Sequence, residues 1–60
     1  MEKATILKFL NKRVKVLLRN NNVYTLTIKD VYETDIFAID KFGNRLSISN
    51  SDIIVIEDSD

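Results

Sequence analysis

The chain is 60 residues long, with nine basic and nine acidic residues for a formal net charge of zero, no cysteine, no histidine and a single glycine. Such a length allows one domain, residues 1–60, near the lower limit at which a chain buries enough surface to fold alone. The composition offers no disulfide or thiolate metal site, none of the commonest general base and no glycine-rich phosphate loop, so no enzyme, metal or cofactor is expected and oligomerisation remains as the source of added stability.

Residues 3–12 place Ile6, Leu7, Phe9 and Leu10 at helical spacing, which predicts a short helix with one apolar face. It is too short to stand alone in water and must dock on the sheet that follows. Residues 13–19 alternate with Val14, Val16 and Leu18 on one side, residues 23–32 alternate through Tyr24, Leu26 and Ile28, and Asn20, Asn21 and Asn22 between them tolerate the positive φ of a hairpin turn. The second strand is long for so small a domain and is expected to bulge near Lys29 and Asp30. After the polar break at Glu33, Thr34 and Asp35, residues 36–40 predict a third strand with Phe37 and Ile39 on one side, Phe37 and Tyr24 being expected in the core. Gly43 supplies a positive φ in the next turn, across which Arg45 could pair with Asp40. Residues 45–49 form a fourth strand with Leu46 and Ile48 inward, Asn50 and Ser51 a very short connection, and residues 52–57 the last strand, followed by an acidic tail expected to fray. Ile53, Ile54, Val55 and Ile56 are apolar on both faces, as in a strand at a sheet centre or an edge that pairs with another chain. The expected fold is mainly β: an N-terminal short α-helix followed by a five-stranded, strongly bent SH3-like small barrel.

Charge is unevenly spread. Residues 1–19 hold Lys3, Lys8, Lys12, Arg13, Lys15 and Arg19 against Glu2 alone, a net +5, while residues 46–60 hold only Asp52, Glu57, Asp58 and Asp60, a net −4. The basic third can present a positive surface to an anion such as RNA, or it can be solvated or pair with the acidic C-terminal strand. No apolar run approaches the roughly 20 residues of a membrane span, and residues 1–12 lack a signal peptide's long apolar core, so a cytoplasmic location without membrane contact is expected.

The order of elements resembles the Sm-like (LSm) family, in particular the Hfq-like RNA chaperones of bacteria, and the resemblance spans nearly the whole chain. Its first motif is matched by Val14, Val16, Leu18, then Asn20 and Asn21, then Tyr24, Leu26, Ile28, then Val31 and Tyr32; its second by Ile48, Ser49, Asn50, Ser51, Asp52, Ile53, Val55 and Ile56. The apolar skeleton agrees, whereas Asn50 and Ser51 stand where the family has a Lys-His or Arg-Gly pair. The resemblance implies a cyclic homo-oligomer, six- or seven-fold, in which the fourth strand of one subunit joins the fifth of the next, with Leu46, Ile48, Ile53, Ile54, Val55 and Ile56 at the contact. It also implies single-stranded RNA bound by Tyr32, Thr34, Asn50 and Ser51, with Tyr32 stacking on a base, Asn50 hydrogen-bonding its edge and Lys3, Lys8, Lys12 and Arg13 holding phosphates. Two other readings stand beside this ring-forming RNA-binding protein. One is an oligomeric small-barrel scaffold or adaptor for protein partners without nucleic acid; the other is an unrelated SH3-like adaptor.

Overall fold

Branched and aromatic residues at alternate positions drive the first hairpin. In the computed structural model, which describes residues 1–59, strand β1 (Arg13–Leu18) pairs antiparallel with β2 (Val23–Val31), Val14 lying opposite Leu26 and Val16 opposite Tyr24. Asn21 closes the turn at φ 70°, a left-handed conformation costing least in glycine and asparagine, and the Asn20 side chain accepts the Asn22 N–H at 3.0 Å. Strands β3 (Asp35–Asp40), β4 (Arg45–Ser49) and β5 (Ile53–Asp58) complete one antiparallel sheet in the order β4-β3-β2-β1-β5.

Chain connectivity forces this sheet to curl. β4 and β5 occupy opposite edges, yet a single 3-10 turn, Asn50–Asp52, joins them. Four interstrand spacings in a flat sheet amount to about 19 Å, whereas the four residue steps from Ser49 to Ile53 reach at most about 14 Å. The sheet must roll until its edges approach, and near-equal dimensions of 25 × 23 × 20 Å agree. A register shift in the β2–β3 ladder between Ile28 and Asp30 helps the bend, at the position expected from the sequence. Rolling stops short of a closed barrel: among the described residues no ladder joins β4 to β5. The turn between them is anchored elsewhere, with the Arg19 N–H donating to Asp52 O at 2.9 Å and the Asn50 N–H to Thr34 O at 3.0 Å.

The inner face carries the core, in which Ile6, Val14, Val16, Ile28, Ile36 and Ala38 have no exposed surface. On β3 the buried pair is therefore Ile36 and Ala38, and the expected placing of Phe37 in the core is corrected: Phe37 and Ile39 lie half-buried on the outer face. Residues 36–39 are apolar at both parities, so only the ladder, which sets Ala38 opposite Ile28, decides which side turns inward. Tyr24 packs against the core as a half-buried residue.

The expected ten-residue helix is corrected to one α-helical turn, α1 (Lys3–Ile6), continued by a 3-10 turn, Leu7–Phe9. The sheet ends it: Asn11 adopts φ 63° and donates its N–H to Ile28 O at 2.7 Å, and Lys12 O accepts the Ile28 N–H at 3.2 Å. Tightening to three residues per turn eclipses Leu7 and Leu10 on one side. Both are exposed, while Ile6 is buried and Phe9 packs on the core. The C-terminal tail is also corrected, because Glu57 and Asp58 continue the ladder opposite Lys15 and Val14, and the Ser59 N–H donates to Arg13 O at 3.2 Å. Asp60 lies outside the described residues. Among them no helix is long and apolar enough to cross a membrane.

Candidate functional site

Two polar breaks converge at one end of the sheet. One is the tight turn after β2, where the Tyr32 N–H donates to Asp35 O at 2.8 Å; the other is the 3-10 turn after β4. Asn50 couples them. It is only 5% exposed, and its Nδ2 donates to Tyr32 O at 2.9 Å and to Glu33 O at 3.2 Å. Its backbone carbonyl accepts from the Met1 amino nitrogen at 2.6 Å, and its Oδ1 is buried with no hydrogen-bond partner among the described residues.

A shallow depression of about 500 Å³ opens over this junction, lined by Met1, Glu2, Glu33, Thr34, Ser49, Asn50 and Ser51. The Ser49 and Ser51 hydroxyls lie 3.0 Å apart in a shared hydrogen bond, and Tyr32, next to Glu33 in the chain, is 52% exposed. Lys3 Nζ sits 3.5 Å from Glu33 Oε1, the one ion pair among the described residues. At so exposed a position it is worth well under about 1 kcal/mol.

The structure thus brings Tyr32, Thr34, Asn50 and Ser51 together, with Lys3 at the rim through Glu33. Asn50, expected to read a base edge, has both amide hydrogens engaged by loop carbonyls and presents no free donor. The other cations are not gathered here. Lys8 lies exposed on the 3-10 turn, and Lys12 and Arg13 stand at the start of β1, about 20 Å along that strand from the Arg19 end. There they line a separate depression of about 410 Å³ with Asn11 and Asp58.

Of the apolar residues expected at an oligomer contact, Ile48 and Ile53 belong to the chain's own core, and Leu46 and Ile56 pack against it. Ile54 and Val55 remain on the surface of β5, 51% and 44% exposed.

Asp40 does not pair with Arg45. Its Oδ1 accepts the N–H groups of Phe42 at 2.9 Å and Asn44 at 2.8 Å, its Oδ2 accepts the Asn44 amide at 3.2 Å, and Gly43 adopts φ 85° to close the turn. Desolvation pushes the Asp40 carboxyl upward, but hydrogen bonds from Asn44, Phe42 and Gly43 outweigh it and hold the pKa below the ordinary carboxylate value. This turn projects Phe42, 76% exposed, with Lys41 Nζ 5.2 Å from the ring centroid. Sequence reasoning assigns Phe42 no role, although an aromatic between Lys41 and Gly43 at a turn tip has little to pack against.

No protein-family model, curated protein or solved structure matches the chain. What the geometry defines is a small mainly-β protein, a short helix ahead of an open five-stranded antiparallel sheet.

Proposed function

We propose that the chain is a subunit of a ring-forming Sm-like protein that binds single-stranded RNA as a chaperone or scaffold. The observation that carries this reading is the pair of free edges: β4 and β5, the strands that Sm-like subunits use for assembly, are the two outer strands of the sheet. Ile54 and Val55 expose apolar surface along β5, with no proline or lysine among residues 53–58 to protect that edge. Pairing of β5 with β4 of the next copy is a head-to-tail contact that closes into a ring when its rotation closes.

Around such a ring, six or seven copies of Tyr32 offer stacking faces, and the Thr34 and Ser51 hydroxyls offer hydrogen bonds to bases. Asn50 serves as a positioning residue that holds the Tyr32 loop to the β4–β5 turn. Lys3, Lys8, Lys12 and Arg13 repeat as weak phosphate contacts whose sum is an avidity effect. A second reading, an oligomeric scaffold or adaptor for protein partners without nucleic acid, is favoured by Glu2 and Glu33 in the depression and by the pairing of Lys3 with Glu33.

The test is native mass spectrometry of the chain at micromolar concentration beside Val55→Lys, followed by RNA titration at increasing salt. A closed six- or seven-fold species that the variant breaks up, with RNA affinity falling steeply with salt, is expected. A stable monomer or dimer removes the ring; a ring that ignores RNA at every salt concentration leaves the scaffold reading.

A further inference from the structure

The depression over the Asn50 turn is rich in groups that accept hydrogen bonds and poor in side chains free to donate them. Glu2 and Glu33 border it as exposed carboxylates, which only accept. Asn50, 5% exposed, directs its amide nitrogen to the Tyr32 and Glu33 carbonyls, and its Oδ1 is buried in the wall with no partner among the described residues. The Met1 amino group is turned onto the Asn50 and Ile53 carbonyls at 2.6 and 3.3 Å. The side chains left to donate are the Thr34 hydroxyl and one of the Ser49 and Ser51 hydroxyls, the other giving its hydrogen to their shared bond.

Of the two acids, Glu33 is the better placed to read a ligand. Its backbone carbonyl is held by the Asn50 amide, so the loop that carries it is fixed before any ligand arrives. Lys3 Nζ approaches only Oε1, at 3.5 Å, and a carboxylate has about four lone-pair positions, so both oxygens keep room for further donors. Tyr32 precedes Glu33 in the chain with its ring 52% exposed, which sets an aromatic face next to the carboxylate in sequence and at the rim of the same depression. The pairing edges of the bases decide what such a lining takes. Guanine alone presents two adjacent donors, N1–H and N2–H, spaced for the two oxygens of one carboxylate. Uracil has a single donor, N3–H, between two carbonyl oxygens that a carboxylate repels, while adenine and cytosine each set one amino group beside a ring-nitrogen acceptor.

We propose that this depression selects guanine in single-stranded RNA, with the Glu33 carboxylate accepting from guanine N1–H and N2–H, a hydroxyl of Thr34 or Ser51 donating to O6, and Tyr32 stacking on the base. An unpaired base exposes the edge and the face that this contact needs, and a duplex hides both. The proposal rests on the reading that the chain binds RNA and adds to it which base is read and by which residue.

The experiment is fluorescence anisotropy with three labelled, short oligouridine RNAs that carry guanosine, inosine or uridine at one central position, titrated at a fixed, low salt concentration with the native chain, Glu33→Gln and Tyr32→Ala. Glu33 and Tyr32 are exposed and lend only backbone carbonyls to the Asn50 brace, and unchanged thermal melting of the variants checks that the fold is kept. The native chain is expected to bind the guanosine RNA about 5- to 150-fold more tightly than the uridine RNA, the range for one good bidentate base contact. Inosine lacks the N2 amino group, so its RNA is expected to bind more weakly than the guanosine RNA. Glu33→Gln is expected to bind the guanosine and inosine RNAs alike; because these differ at one base only, their ratio does not respond to the change in net charge. Tyr32→Ala is expected to weaken all three. If the native chain binds RNA but favours the uridine RNA, or treats guanosine and inosine alike, guanine selection is overturned and RNA binding survives. A guanosine-to-inosine ratio that Glu33→Gln leaves unchanged removes Glu33 as the reader, and the proposal fails. If none of the three RNAs binds the native chain, RNA binding itself falls and the proposal with it.

Discussion

Asn50 donates through its side-chain amide to the carbonyls of Tyr32 and Glu33 and through its backbone to Thr34 O, so one buried residue holds two loops that are far apart in sequence. Truncating it leaves those two carbonyls without their donor in a partly buried place, where a lost partner costs about 1–3 kcal/mol. Asn50→Ala is expected to lower the urea midpoint by an amount in that range with an unchanged denaturant slope. An unaltered midpoint would show that the loops hold without it. A spacing rule sees a polar turn residue at this position, because asparagine suits a tight turn whether or not its amide reaches across the fold. Asp40 poses the same ambiguity. Its nearness to Arg45 in sequence across a turn suggests an ion pair, yet the ladder sets Ile39 opposite Arg45 and the Asp40 carboxylate turns back onto the N–H groups of its own turn, which lie within reach at lower entropic cost.

At the scale of elements, the N-terminal segment depends on one side chain more than on its helical length. α1 is a single turn, and it is held by Ile6, which is fully buried with the strand residues of the core. Removing most of that side chain is expected to cost about 2–5 kcal/mol, the range for a buried Ile→Ala, whereas Leu7→Ala and Leu10→Ala, on exposed residues, should stay within about 0.5 kcal/mol. Urea unfolding of the three variants checks this, and equal losses at all three would restore the longer amphipathic helix. The helix is cut short because the sheet recruits residues 11 and 12: Asn11 and Lys12 exchange hydrogen bonds with Ile28. Helical periodicity in residues 3–12 carries no trace of that competition.

The whole molecule is small, and its sheet ends in two outer strands, β4 and β5, each laddered on one side only among the described residues. A chain of this size that satisfies those edges with other copies gains stability by mass action, since assembly removes folded monomer from the unfolding equilibrium. The melting temperature is accordingly expected to rise with protein concentration for the native chain and to become independent of it in Val55→Lys. A melting temperature constant over a hundredfold range of concentration, roughly 2.7 kcal/mol of mass action on the same scale, would remove the edges as assembly surfaces.

The strands, the left-handed hairpin residues Asn21 and Gly43 and the bulge after Ile28 were legible in the sequence, because alternation, turn chemistry and strand length are properties of neighbouring residues, whereas the left-handed Asn11 was not. Ladder register decided which face of β3 turns inward and the outward position of Phe37. Connectivity decided the curl, since a turn of residues 50–52 must reach from one sheet edge to the other, and it carried Asn50 into contact with the β2–β3 loop. These last features depend on pairs of residues distant in sequence, and no local pattern encodes them; only when the strands pair do their relative positions, and the surfaces they leave open, come into being.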